Sequence, residues 1–325
     1  MHPPDEKKGP DSVGAEVRAG GIKDLPARVN RYQKAKAQAL DVAQYMAAVQ
    51  HQQQPHIAAL YRDTAKRVAS CADYLAFRHY FTIDQVRLHS ASLCMKHLLC
   101  PLCAIRRGAK ALGAYSDRYK AIAARNPSLR PFMVTLTVKD GQHLAERFNH
   151  LKRSLQELFK RRQRHRGCSI DCVKGAVWSY EFKRGSGSGL WHPHVHMIAL
   201  SEVAPDPVDL ANEWHDITRD SYIVDVRPIT TGDADQHIDG FLEVFKYAVK
   251  FSDQEPADTV HAWLTLKGRN LIGSSGLFRG VDVPESLLDE PLDDLPFVEF
   301  FFRYSAGSYC MPLGQRVPPQ WLRAA

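Results

Sequence analysis

No apolar run in this chain is long enough to span a bilayer. Residues 132–138 and 195–200 are short against the roughly 20 residues a membrane helix needs. The N-terminal stretch Met1-His2-Pro3-Pro4-Asp5-Glu6-Lys7-Lys8 has no apolar core. It predicts no signal peptide, and a cytoplasmic location follows by default. The seven cysteines are an odd number without secretory context, so a disulfide framework is not expected. Internal repeats are absent too, which sets aside solenoids and propellers.

What is present is an ordinary soluble composition, 44% hydrophobic and 24% charged. At 325 residues, one large domain plus a smaller module is the natural expectation. The net charge of +7 and the pI near 9.0 admit a polyanionic partner without demanding one. Between residues 281 and 325, seven acids face only Arg303, Arg316 and Arg323. That tail is acidic, so the main body is more basic than the average.

Local pattern divides the chain further. Residues 1–28, rich in Pro, Gly and charge, are expected to be disordered. A helical N-terminal region follows over 29–93, interrupted at Gln52-Gln53-Gln54-Pro55, and a Cys-containing segment with a basic helix covers 94–130. From 131 to 280 the pattern changes. Residues 132–138 and 173–182 read as strands, 143–164 as a helix, and 191–200 as a strand returning through the turn Gly185-Ser186-Gly187-Ser188-Gly189. Helices over 208–219 and 238–251 and a strand over 222–226 complete an α+β sandwich with a central antiparallel hairpin.

The strand Trp191-His192-Pro193-His194-Val195-His196 places three histidines on one face. All three cannot bind one ion, because the outer two lie roughly 13 Å apart. His194 with His196 is the better pair, since Pro193 disturbs the strand before them. A turn near Gly187-Ser188 sets Glu181 opposite His194, about 5 Å away. Two imidazoles and a carboxylate suit Mg²⁺ or Mn²⁺, with His192 as the substitute for Glu181. The competing reading is surface histidines on a half-buried strand.

Glu243 and Tyr247 are four residues apart and share a helix face, with Lys246 and Lys250 close by. A phenol attacks phosphorus only if a metal polarises the phosphate and cations lower the cost of the phenolate. Tyr247 would then form a phosphotyrosine ester and leave a 3′ hydroxyl, and Glu243 would activate water or a second 3′ hydroxyl. Alone, the segment reads as an ordinary amphipathic helix with Phe241, Leu242, Val244 and Phe245 in the core.

These motifs, in this order, resemble the rolling-circle plasmid replication initiators of the HUH endonuclease superfamily. Phe132-Met133-Val134-Thr135-Leu136-Thr137-Val138 resembles the first motif and His192-Pro193-His194-Val195-His196 the second. Glu243-x3-Tyr247-x2-Lys250 is similar to the third in the single-tyrosine branch. Cys100-Pro101-Leu102-Cys103 and residues 266–278 also resemble that branch, so coverage is about 94–280. The resemblance implies a ferredoxin- or RRM-like central antiparallel sheet flanked by helices; the helical N-terminal extension and the acidic tail lie outside it. It also implies nicking and rejoining of single-stranded or extruded origin DNA, with host helicase and polymerase as further partners.

Two groups lie beside that core. Cys94, Cys100 and Cys103 are candidate zinc ligands, with His97, His89 or Cys71 as the fourth. Lys160, Arg161, Arg162, Arg164 and Arg166 end a helix and are candidate phosphate contacts, although cations are favoured there anyway. The basic residues around Arg106 are a weaker candidate. Three alternatives compete. A transposase would share the same chemistry, a histidine-triad nucleotide hydrolase would use His194 as nucleophile without metal, and a non-catalytic DNA-binding protein would use the cysteine module.

Overall fold

The computed structural model describes residues 12–164, 167–185, 187–229, 241–242, 244–245, 254–292 and 294–312. The chain forms two compact units, residues 1–109 with 285–325, and residues 110–284. Each contains an antiparallel sheet with helices, so the fold is α+β. Among the described residues no helix is long and apolar enough to cross a membrane.

The first unit opens with α1 (Ser12–Arg18), α2 (Leu25–Val49) and α3 (Pro55–Ala69). Leu25, Val29, Tyr32, Ala39, Val42 and Met46 form the buried stripe of α2 at helical spacing. A 3₁₀ turn at Gln50–Gln52 ends it, and Pro55 starts α3, because proline can open a helix but not continue one. The sheet runs in the order β2 (Gln85–Ala91), β1 (Tyr74–Tyr80), β8 (Val298–Ser305), β9 (Ser308–Cys310). Phe77 on β1 packs against Tyr32 and against Phe302 on β8. Composition marks 29–93 as helical and 281–325 as an acidic tail. The structure instead draws two strands from each, since β1 completes its pairing only with a segment more than 200 residues away.

Ser12–Arg18 falls in the stretch expected to be disordered, and Glu16 explains why it is helical. Its carboxylate is 4% exposed and accepts from Arg28 (2.6 Å), Arg106 (2.7 Å) and the Tyr32 hydroxyl (2.6 Å). Asp289, from the acidic tail, accepts from Arg28 (2.9 Å), Arg106 (2.5 Å) and the Leu88 amide (2.7 Å). Composition counts these groups as solvated charges, whereas the fold buries them as a network. Arg106 is therefore committed to two carboxylates and is not a surface contact for phosphate.

Burial opposes the Glu16 charge, but Arg28, Arg106 and the Tyr32 hydrogen bond outweigh it and hold the carboxyl at about 2, below its ordinary 4.5. A lowered folded value stabilises the protein above the unfolded value, and that contribution is lost as pH falls from about 4.5 towards 2. It amounts to about 3 kcal/mol. Glu16→Gln is therefore expected to be clearly less stable than wild type at pH 7, with the gap closing between pH 4.5 and 2.5 in urea melts. A gap that stays constant with pH would contradict this.

In the second unit, α4 (Pro101–Arg125) arrives from the first, and the sheet order is β6 (Val224–Pro228), β3 (Arg130–Thr137), β5 (Trp191–Ser201), β4 (Gly175–Arg184), β7 (Ile272–Gly276). The helices α5 (Leu144–Gln163), α6 (Pro207–Thr218) and α7 (Pro256–Leu266) accompany it. Asp206 caps α6 by accepting from the Val208 and Asp209 amides. One sheet face packs on α5: Phe148 meets Tyr180 and Phe182, and Phe159 stacks on Trp178 at 4.9 Å. Trp178 in turn needs Gly273 beside it, because a Cβ there would come within 2.4 Å of the indole.

Strand alternation then assigns the opposite face. Residues 179, 181 and 183 of β4 share it with 192, 194 and 196 of β5 and with 135 and 137 of β3. Pro193 is tolerated in this central strand for a local reason. Trp191 exchanges both backbone hydrogen bonds with Gly141, and β3 ends at the Thr137–His194 pair. The missing N–H of Pro193 falls in the gap between them, beyond the end of the β3 ladder.

Candidate metal centre

The β4–β5 hairpin pairs Glu181 with His194 and Ser179 with His196, while β3 sets Thr135 opposite His196. Glu181 Oε2 lies 3.3 Å from His194 Nε2 and 3.3 Å from His196 Nε2. One carboxylate oxygen thus faces two ring nitrogens, and one donor from each residue lies within 4.8 Å of the others. Glu181 and His194 are 1% and 3% exposed, and His196 is half-buried.

Two further observations concern its electrostatics. Burial would raise the Glu181 carboxyl, but the two imidazoles beside it hold it well below the usual carboxylate range. Burial also lowers His194, against the opposing pull of Glu181 beside it. Donors bound to one ion at about 2.1 Å and at angles of 90° to 109° lie about 3.0–3.4 Å apart. The two 3.3 Å separations fit that requirement. His194 Nδ1 is buried without a hydrogen-bond partner among the described residues.

Two supporting residues are not among the candidate site residues read from the sequence, although Thr135 lies in the segment that resembles the first motif. Thr135 Oγ1 is 3.2 Å from His196 Nδ1 and fixes that ring with Nε2 towards Glu181. Asp140, in the loop after β3, holds His192 at 2.6 Å and also accepts from Ser188 in the hairpin turn. His192 is turned to Asp140 and is not part of the three-donor group. Thr137 is engaged by the Ser221 hydroxyl rather than by a histidine.

Glu243, Tyr247 and Lys250 lie outside the described residues, as does Arg166. Their described neighbours Phe241, Leu242, Val244 and Phe245 are helical and buried. Phe245 stacks on Tyr115 at 5.2 Å, and Phe241 meets Tyr119 at 5.2 Å and Phe278 at 6.1 Å. An aromatic cluster thereby anchors the chain two residues before position 247.

The basic run at the end of α5 is partly engaged by acids. Arg161 is paired to Asp216 at 2.8 Å and approaches Glu213 and Glu157, and Arg164 approaches the same Glu157. Lys160 is exposed and Arg162 half-buried. Because Phe148 and Phe159 of α5 pack on 178, 180 and 182, the helix covers the sheet face opposite Glu181 and the histidines. Lys160 to Arg164 therefore do not border the three-donor group.

Cys94, Cys100 and Cys103 come together in the first unit with Cys71, all buried. Of the three residues considered as a fourth partner, Cys71 joins the group, and His89 and His97 do not.

Comparison with known proteins places the chain. A family model described as "Replication protein" matches residues 85–299. "Protein rep" of Streptococcus pneumoniae serotype 2 (strain D39 / NCTC 7466) is 28% identical over 203 residues, covering 58% of this chain and 61% of that protein. "Protein rep" of a Bacillus species is 24% identical over 268 residues, covering 72% of this chain and 85% of its own length. "Protein rep" of Lactiplantibacillus plantarum is 26% identical over 263 residues, covering 75% and 81%. The match thus spans less than two thirds of the streptococcal relative and more than four fifths of the other two. No solved structure matches the chain. The Thr-Leu-Thr, His-x-His and Glu-x3-Tyr segments all fall inside the matched stretch, and the chain belongs to the replication protein family, the rolling-circle plasmid initiators.

Proposed function

We propose that this replication initiator is an HUH-type nickase. It cuts and rejoins single-stranded or extruded origin DNA in the cytoplasm through a 5′-phosphotyrosine at Tyr247, with host helicase and polymerase as later partners. The observation that carries the reading is the convergence of His194 and His196 on Glu181 at 3.3 Å. Glu181, His194 and His196 would hold Mg²⁺ or Mn²⁺, whose bound form polarises a phosphate oxygen and makes phosphorus a better electrophile. Thr135 would keep the His196 ring in its coordinating orientation.

The chain's own residues then account for the bond changes. The Tyr247 oxygen bonds to phosphorus, its proton goes to solvent, and Lys250 lowers the cost of the phenolate. The bond from phosphorus to the 3′ oxygen breaks, and that oxygen takes up a proton to become the free 3′ hydroxyl. For rejoining or termination, Glu243 removes a proton from an incoming 3′ hydroxyl or water, and the phenol leaves. The histidine-triad alternative fares worse, since it needs His194 open to substrate and that residue is 3% exposed against Glu181.

The test is a single-stranded oligonucleotide carrying the plasmid's origin, incubated with the protein and Mn²⁺. A denaturant-resistant adduct is expected, with mass mapping to the peptide containing Tyr247 and dependence on the added metal. An adduct on another residue, or cleavage unaffected by chelator, would overturn the proposal.

A further inference from the structure

The four buried cysteines of the first unit come from three places in the chain. Cys71 follows α3, Cys94 follows β2, and Cys100 and Cys103 lie at the start of α4. The β1–β2 hairpin joins the first two: the Ala72 amide donates to the Ser92 carbonyl at 2.5 Å, and the Cys94 amide donates to Cys71 Sγ at 3.3 Å. Lys36 secures the same corner, donating to the carbonyls of Ala69 and Cys71.

The sulfur spacings are informative. Cys71 lies 3.6 Å from Cys103 and 3.5 Å from Cys100, and Cys94 lies 3.7 Å from Cys103. A disulfide requires about 2.05 Å, so these are not disulfides. Thiolates bound at about 2.3 Å at tetrahedral angles lie about 3.8 Å apart, close to what is observed. The exposures of the four are 2%, 4%, 1% and 0% in chain order. An iron–sulfur cluster would spread its cysteines around a larger inorganic core than this spacing encloses.

We infer that Cys71, Cys94, Cys100 and Cys103 form a mononuclear structural zinc centre that closes the first unit. Four thiolates fill the coordination shell and leave no position for water or a phosphate, so the centre takes no part in strand cleavage. Its role is mechanical. The ion ties the end of α3 and the exit of β2 to the first turn of α4. Its binding free energy is then part of the folding free energy of this unit. The inference rests on the first unit alone and stands whether or not Tyr247 is the nucleophile.

Purified full-length protein is expected to carry about one zinc per chain, resistant to brief chelation and released when the thiols are modified. Cobalt exchanged into it should give the intense ligand-field bands of a tetrahedral tetrathiolate. Cys71→Ser is expected to speed zinc loss to chelator at least about tenfold, whereas Cys172→Ser, at a half-buried cysteine outside the cluster, should match wild type. Metal-free protein, iron in place of zinc, an octahedral cobalt spectrum, or wild-type zinc retention in Cys71→Ser would each overturn the assignment. The metal content and cobalt spectrum of the wild type decide the matter even if Cys71→Ser fails to fold.

Discussion

Tyr247→Phe is expected to abolish the covalent DNA adduct and to lower strand transfer by about four orders of magnitude or more, because it removes the nucleophile and not merely a contact. The substitution deletes one hydroxyl and leaves an aromatic ring of the same shape, so packing is kept. The neighbouring Phe241, Leu242, Val244 and Phe245 are already buried, with Phe245 stacked on Tyr115, and anchor the segment without the phenol. Folding should therefore be unchanged by circular dichroism and thermal melting. Tyr222→Phe is the control: its ring is 71% exposed just before β6, and it should nick at the wild-type rate. Adduct formation by Tyr247→Phe would remove the tyrosine from the mechanism altogether. Slow cleavage without an adduct agrees with the proposal, because Glu243 can activate water in place of the phenol.

Substitution at the three-donor group should be nearly as severe. His194→Ala removes one donor and leaves Glu181 facing His196 alone, so Mn²⁺ binding and Mn²⁺-dependent nicking should both fall by about three orders of magnitude. Thr135→Val is a graded comparison. It keeps all three donors but frees the His196 ring, and a positioning residue of this kind is worth about 10- to 100-fold in metal affinity. Raising the Mn²⁺ concentration should restore nicking in Thr135→Val and fail to do so in His194→Ala. Equal Mn²⁺ affinity in wild type and His194→Ala, measured calorimetrically, would rule out this group as the metal site.

The parts of this architecture that were legible in the sequence are those set by short-range pattern. Alternation along 173–182 and 191–200 with a glycine-rich turn between them is enough to place Glu181 across from His194, since register in a hairpin is fixed by its turn. The 3.6-residue period of 144–163 gave α5 in the same way. What was not legible depends on distant partners. Cys71 precedes Cys94 by a whole β-hairpin, so no cysteine spacing announces it. Glu16 and Asp289 look like solvent-facing acids until Arg28 and Arg106 are brought between them. Local composition likewise does not show Glu157, Glu213 and Asp216 beside the run from Lys160 to Arg164, or that α5 lies across the sheet from the histidines.

The pairing of β1 with β8 bears on the order in which the protein is made. Arg78 and Glu299, partners across those strands, are 221 residues apart in the chain. At about 5–20 residues per second, a ribosome takes about 10–45 s to deliver the second after the first. Residues 110–284 emerge complete within that interval and can fold as they are made. The N-terminal segment meanwhile waits with one side of β1 unpaired and Phe77 without Phe302, an open strand edge that invites wrong pairing. A segment made much later therefore completes the unit that β1 begins, and truncation before Val298 should leave a chain whose second unit folds while its first aggregates.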